Sequence, residues 1–74
     1  MENAREAIKE VVSAVTPGLA ELLDAYCLSK HGKDAATLFL TNLQKLLECL
    51  TELYGNEETA QIILKIILKR HSML

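Results

Sequence analysis

The chain has 74 residues, half of them apolar, and carries a formal net charge of -2. One Pro and three Gly are too few for a disordered chain, and 74 residues leave room for a single domain. This weakly acidic balance excludes a general attraction to nucleic acid or to an anionic membrane, so either role would need a local basic patch.

The first predicted helix covers about residues 3–15. Its apolar residues recur at spacings of three and four, which is the pattern of one helix face. Pro17 then interrupts the pattern, because Pro lacks an amide hydrogen and disfavours helical geometry in the residue before it. We therefore predict Thr16 as the N-cap of a second helix over about 17–31, ended by Gly32. A single helix kinked at Pro17 is the alternative, which would leave three helices in all.

The third predicted helix covers about residues 35–54 and is the longest. Asp34 is placed to cap it, and apolar residues follow one face as far as Tyr54. Gly55 ends this helix. The amphipathic pattern shows no interruption, so we expect one continuous helix.

A fourth helix is predicted over about residues 57–70, with Asn56 as its N-cap. The short Gly55-Asn56 turn makes the third and fourth helices an antiparallel hairpin. The sequence therefore predicts an all-α fold, a compact bundle of four helices that forms one domain over residues 1–74.

The fourth helix is unusual because apolar residues surround most of it. Its polar stripe consists of Glu58, Gln61, Lys65 and Lys69. A helix that is apolar nearly all round must be covered nearly all round, and three short companions cover one side. The third helix, about 30 Å long, would also extend beyond the first two, about 20 Å long. A monomer in which the first helix covers the second side of the fourth is the alternative.

These two surplus surfaces predict a homo-oligomer, with a two-fold dimer favoured. The predicted interface anchors are Phe39, Ile63, Leu64, Ile67 and Leu68. The expected function is that of a small self-associating interaction module, such as an adaptor, a regulator or a subunit, with another protein as the alternative partner.

A zinc-stapled module is a further hypothesis, because the chain holds two Cys and two His, which are zinc-ligand types. The candidate ligands are Cys27, His31, Cys49 and His71. Their spacings match no known zinc module, so no metal and no other cofactor is predicted. A disulfide between Cys27 and Cys49 is not expected either, since it needs α-carbons within about 7 Å and an oxidising compartment.

An enzyme is not predicted. Cys27, His31 and Asp34 are nucleophile, base and orienting types, but no glycine-rich or oxyanion-binding element accompanies them. No catalytic residue is therefore assigned.

Nucleic-acid binding is the main functional alternative. The C-terminal end of the fourth helix carries a basic cluster, which consists of Lys65, Lys69, Arg70 and His71. Basic residues at a helix C-terminus also complement the helix dipole, so the cluster is typical of an ordinary solvated helix end as well.

The sequence favours a cytoplasmic protein. It shows no secretory signal, and no apolar run approaches the roughly 20 residues that span a bilayer. The final tripeptide Ser72-Met73-Leu74 partly matches a PDZ ligand and a peroxisomal address, both of which are C-terminal recognition signals.

Overall fold

A computed structural model describes residues 3–72 of the chain. Within that range the fold is all-α, as predicted, and contains one helix more than expected. The helices are α1 (Ala4–Val15), α2 (Leu19–His31), α3 (Ala35–Thr41), α4 (Leu43–Tyr54) and α5 (Glu57–Ser72). Met73 and Leu74 of the C-terminal tripeptide lie outside the described residues.

The first two helices are separate and do not form one kinked helix. Thr16 ends α1, where its backbone N–H donates to the Val12 carbonyl at 2.8 Å. The predicted N-cap role of Thr16 is therefore wrong. Gly18 occupies that position in the left-handed region, at φ 86°, and makes no side-chain capping bond to α2. The chain reverses at this turn, because Gly adopts positive φ without steric cost.

The continuous third helix was predicted wrongly, because Asn42 divides it into α3 and α4. Asn42 leaves helical geometry, with φ -155° and ψ 82°. Its N–H donates to the Leu38 carbonyl at 2.7 Å, and its side-chain oxygen accepts from the Lys45 N–H at 3.3 Å. One residue thus closes a helix and opens the next. The Thr41 hydroxyl donates to the Thr37 carbonyl at 2.7 Å, another local bond of the kind that competes with helical continuity.

The break at Asn42 removes the overhang on which one half of the dimer argument depended. It lets α3 pack on α1 while α4 packs on α2 and α5. The chain measures 29 × 23 × 21 Å along its principal axes. An unbroken helix of 20 residues would by itself extend about 30 Å.

Two predicted caps are confirmed. Asp34 accepts a hydrogen bond from the Thr37 N–H at 2.8 Å at the start of α3. Asn56 accepts one from the Thr59 N–H at 2.7 Å at the start of α5. The last helix continues to Ser72, two residues past its predicted end.

The core lies where α5 packs between α4 and α1, so two neighbours cover its inner side. All five helices contribute buried apolar side chains, the larger of which are Ile8, Val11, Val12, Leu23, Leu38, Phe39, Leu46, Leu50, Ile63, Leu64 and Ile67. None of the helices described over residues 3–72 is long and apolar enough to cross a membrane.

Candidate interaction surface

Four of the five predicted interface anchors lie in the core of the single chain. Phe39, Ile63, Leu64 and Ile67 are buried there, and only Leu68 is partly exposed, at 38%. Their apolar surface is already covered by other helices of the same chain. A partner that docks on α5 must therefore contact Leu68 or residues outside this set.

Besides Leu68, the exposed large apolar residues of α5 are Ile62 and Ile66, which are 59% and 44% exposed. They are four residues apart, so they lie one turn from each other on one helix face. The predicted polar stripe, Glu58 to Lys69, is exposed as expected, and the two Ile residues lie along one edge of it.

A groove between α5 and the end of α1 continues this apolar surface. Its lining residues are Glu10, Val11, Ala14, Val15, Ile66 and Arg70. Val15 is half exposed, and Ala14 beside it is exposed as well. Ala14, Val15, Ile62 and Ile66 together form a surface that we call the α1–α5 face.

An ion pair borders the α1–α5 face. The Arg70 guanidinium donates to the Glu10 carboxylate across the two helices. Both side chains are about half exposed, so water screens the pair and its contribution to stability is small. Because the opposite charges meet, this edge of the groove carries no net charge.

The charges along α5 are segregated. Glu57 and Glu58 lie in its first turn, whereas Lys69 and Arg70 lie in its last. This order complements the helix dipole. It also gives the helix one acidic end and one basic end, which matters for any partner that lies along it.

The four residues of the predicted nucleic-acid cluster have different surroundings in the structure. Lys65 and Lys69 are exposed. Arg70 is engaged with Glu10, and the His71 ring packs edge-on against Phe39, with ring centroids 5.2 Å apart. Two of the four proposed phosphate contacts thus already hold α5 to α1 and α3.

The four candidate zinc ligands do not converge. Cys27 and Cys49 are close enough for Cys49 to raise the pKa of the Cys27 thiol, but the His71 ring packs on Phe39 at the end of α5. Within residues 3–72, no group of three or more His, Cys, Asp or Glu side chains is arranged to hold a metal ion.

Other exposed apolar residues are scattered over the surface. Leu22 is 58% exposed on α2, and Leu28 of the same helix lies six residues away, on another face. Leu40 and Leu43 flank the break at Asn42. The α1–α5 face differs because it brings exposed apolar side chains of two helices together across a groove.

Sequence reasoning assigned Ile62 and Ile66 to the apolar surround of the fourth helix without selecting them. The sequence did contain a signal that these two side chains lie near solvent. Each directly follows a residue of the polar stripe, Gln61 or Lys65, so its side chain points about 100° around the helix from an exposed one. No comparable signal in the sequence predicts that Val15 belongs to the α1–α5 face, because its position there depends on where α1 crosses α5.

Comparison of the chain with protein-family models, with curated proteins and with solved structures found no match. The geometry of the surface therefore carries the functional argument.

Proposed function

We propose that the protein is a small helical interaction module that associates with a second copy of itself through the α1–α5 face. The carrying observation is the exposure of Ile62 and Ile66 on one face of α5, beside Val15 of α1. Exposed apolar side chains that lie together, and not singly, are typical of contact sites between proteins. Closed two-fold dimers are the commonest way in which a chain covers such a surface.

The charge order of α5 favours a second copy as the occupant. If two α5 helices meet antiparallel, with the axis between Ile62 and Ile66, then Ile62 of each copy lies against Ile66 of the other. Glu58 of each copy then lies opposite the basic last turn of the other, near Lys69. A parallel arrangement would place like charges together, which is unfavourable across an interface.

The size of the chain sets a limit on the contact. A standard interface removes about 800 Å² from each partner, close to a fifth of this chain's accessible surface of 4503 Å². The apolar face must therefore be extended by the polar stripe beside it. We expect an association with a dissociation constant on the order of micromolar, which depends on concentration.

Light scattering on the purified protein over a range of concentrations tests the proposal. We expect a solution mass that approaches twice the 8.2 kDa of the chain. Ile66→Asp should return the mass to that of one chain without unfolding, because the side chain is already half exposed. Leu22→Asp is the matched control, since Leu22 is similarly exposed on α2 and should dimerise normally. A wild-type mass of one chain at all concentrations would refute self-association.

A charge exchange tests the antiparallel orientation. Glu58→Lys should weaken the dimer, because it places a cation opposite Lys69 of the other copy. Lys69→Glu should weaken it in the same way, and the double variant should regain the affinity that each single change removes. If the effects of the two changes simply add, the helices do not meet in this orientation.

Nucleic-acid binding stays a prediction for the exposed pair Lys65 and Lys69. Retention on a nucleic-acid column that falls with salt, and that Lys65→Gln with Lys69→Gln abolishes, would support it. Zinc analysis of the purified protein tests the third hypothesis.

A further inference from the structure

Two thiols meet between α2 and α4. The two helices pack against each other. Lys30 near the end of α2 pairs with Glu52 near the end of α4, with Nζ 2.6 Å from Oε1, so the C-terminal turns of both helices lie together. Cys27 lies three residues before Lys30, and Cys49 lies three residues before Glu52. The same offset of 22 residues pairs Cys27 with Cys49, which is close enough to raise the pKa of the Cys27 thiol.

Cys27 and Cys49 are the only cysteines of the chain, and both side chains are fully buried. Burial, followed by the neighbouring Cys49, raises the pKa of the Cys27 thiol. A buried, protonated thiol is a poor nucleophile, so the closed fold protects the pair from reaction. Reaction requires an opening that separates α2 from α4.

The attachment of α2 to the rest of the bundle favours such an opening. Ala20, Leu23 and Cys27 are its buried residues, the same number as in α3 and in α4 although α2 is the longest of the three, and Leu22 and Leu28 face outward. Its start at Gly18 has no side-chain capping bond. An element with few buried contacts opens at lower free energy than the rest of a fold, and loss of α2 uncovers both thiols together.

Although the sequence alone does not favour a disulfide between Cys27 and Cys49, the packing of α2 on α4 leads us to propose one: a reversible disulfide that links α2 to α4 when the protein meets a low-molecular-weight disulfide. In the open state one cysteine thiolate attacks the S–S bond of the reagent, which forms a mixed disulfide and releases one small thiol. The second thiolate attacks the protein sulfur of that mixed disulfide and releases the other small thiol. Two protein sulfurs are oxidised, two reagent sulfurs are reduced, and the two thiol protons end on the released thiols.

The consequence is control over α2. In the dithiol state α2 can leave the bundle and close again. In the disulfide state a covalent link between residues 27 and 49 removes that opening, since the two helices can no longer separate. This device is independent of the α1–α5 face, because neither cysteine belongs to it.

The test uses the full chain and glutathione disulfide. After incubation, the protein is denatured, its remaining thiols are alkylated, and its mass is measured. We expect a single chain that takes no alkyl group and is lighter than the reduced protein by two hydrogen atoms, with reversal by dithiothreitol. Hydrogen exchange of the α2 amides should slow by about 30-fold or more.

Cys49→Ala is the matched control, and Cys27→Ala is its counterpart should either substitution disturb folding. Each should stop at a mixed disulfide with one glutathione and show no slowing of exchange in α2. Wild-type thiols that stay alkylatable after prolonged exposure, links formed only between chains, or an intrachain link that leaves α2 exchange unchanged would each overturn the proposal. Every one of these readouts is independent of whether the protein dimerises.

Discussion

Helix α5 contains two pairs of isoleucines, Ile62 with Ile66 and Ile63 with Ile67, whose surroundings are opposite. The members are neighbours in the chain, since Ile63 follows Ile62 and Ile67 follows Ile66. Ile63 and Ile67 lie in the core against α1 and α4, whereas Ile62 and Ile66 face solvent beside the polar stripe. Residue type is the same in both pairs, so composition cannot distinguish them. The difference arises from a rotation of about 100° around one helix. An apolar helix thus contains one face that folds the chain and another that is available to a partner.

The largest expected effect is a difference in the stability lost when a residue of the buried pair, and not of the exposed pair, is replaced. Ile67→Ala should lower the free energy of unfolding by about 2–5 kcal/mol, because it leaves a cavity in a packed core. Ile66→Ala, the same change one residue earlier, should cost no more than about 0.5 kcal/mol. Urea unfolding followed by circular dichroism, at a concentration where the protein is monomeric, measures both. Equal losses of unfolding free energy in the two variants would show that Ile66 and Ile67 do not differ in burial as described.

A smaller effect is expected at Asn42, which turns the chain so that α3 covers the core on which Ile63 and Ile67 depend. Asn42→Ala removes the bond to the Lys45 N–H and should destabilise the fold by about 1 kcal/mol. Self-association through Ile62 and Ile66 should persist in the folded variant, as light scattering would show. A loss of the dimer without a loss of stability would mean that the α3–α4 elbow belongs to the interface.

The cap at Asp34 gives a dependence on pH. The hydrogen bond from the Thr37 side chain, then its backbone N–H and the nearby Arg5, lower the pKa of the Asp34 carboxyl from its ordinary value of 3.8. The charged form is therefore favoured by folding, and its stabilisation is complete above that value and is lost as the pH falls through the lower folded pKa.

Asp34→Ala should accordingly cost about 1 kcal/mol at pH 7. The gap between variant and wild type should close as the pH falls below 3.8, which thermal unfolding at several pH values would measure. A gap that stays constant into strong acid would show that charge at Asp34 is not what stabilises α3.

The smallest effect is expected at the edge of the groove. Glu10→Gln removes the exposed pair with Arg70 and should change the free energy of unfolding by no more than about 0.5 kcal/mol. A clear loss of self-association in this variant would place the edge, and not Ile62 and Ile66, at the centre of the contact.

Local signals in the sequence predicted much of the fold. Asp34, Asn56 and Gly32 were assigned as helix ends, and each acts there through its own side chain or, for Gly32, through a left-handed backbone. The break at Asn42 was missed because apolar residues continue at helical spacing through it. The preference of a single Asn for a capping position is a weaker signal than that periodicity. The packing of α3 on α1, which the sequence does not show, favours the turn.

The candidate surface was predicted less well for a related reason. Apolar character identified α5, but which of its isoleucines face inward depends on where α1 and α4 cross it. Those crossings bring together residues far apart in the chain, such as Val15 and Ile66, which line the same groove. The anchors chosen from sequence were therefore mostly core residues. For the same reason a test at Ile67 cannot separate dimer from fold.

The most direct test of the central claim is an intermolecular contact between isoleucine methyl groups. Two samples with different isotope labels are mixed, and nuclear Overhauser effects that pass only between differently labelled copies are recorded. The proposed dimer predicts effects between Ile62 of one copy and Ile66 of the other. Intermolecular effects that arise only from Leu22, Leu28 or Leu40, or none at concentrations where the mass is doubled, would contradict it.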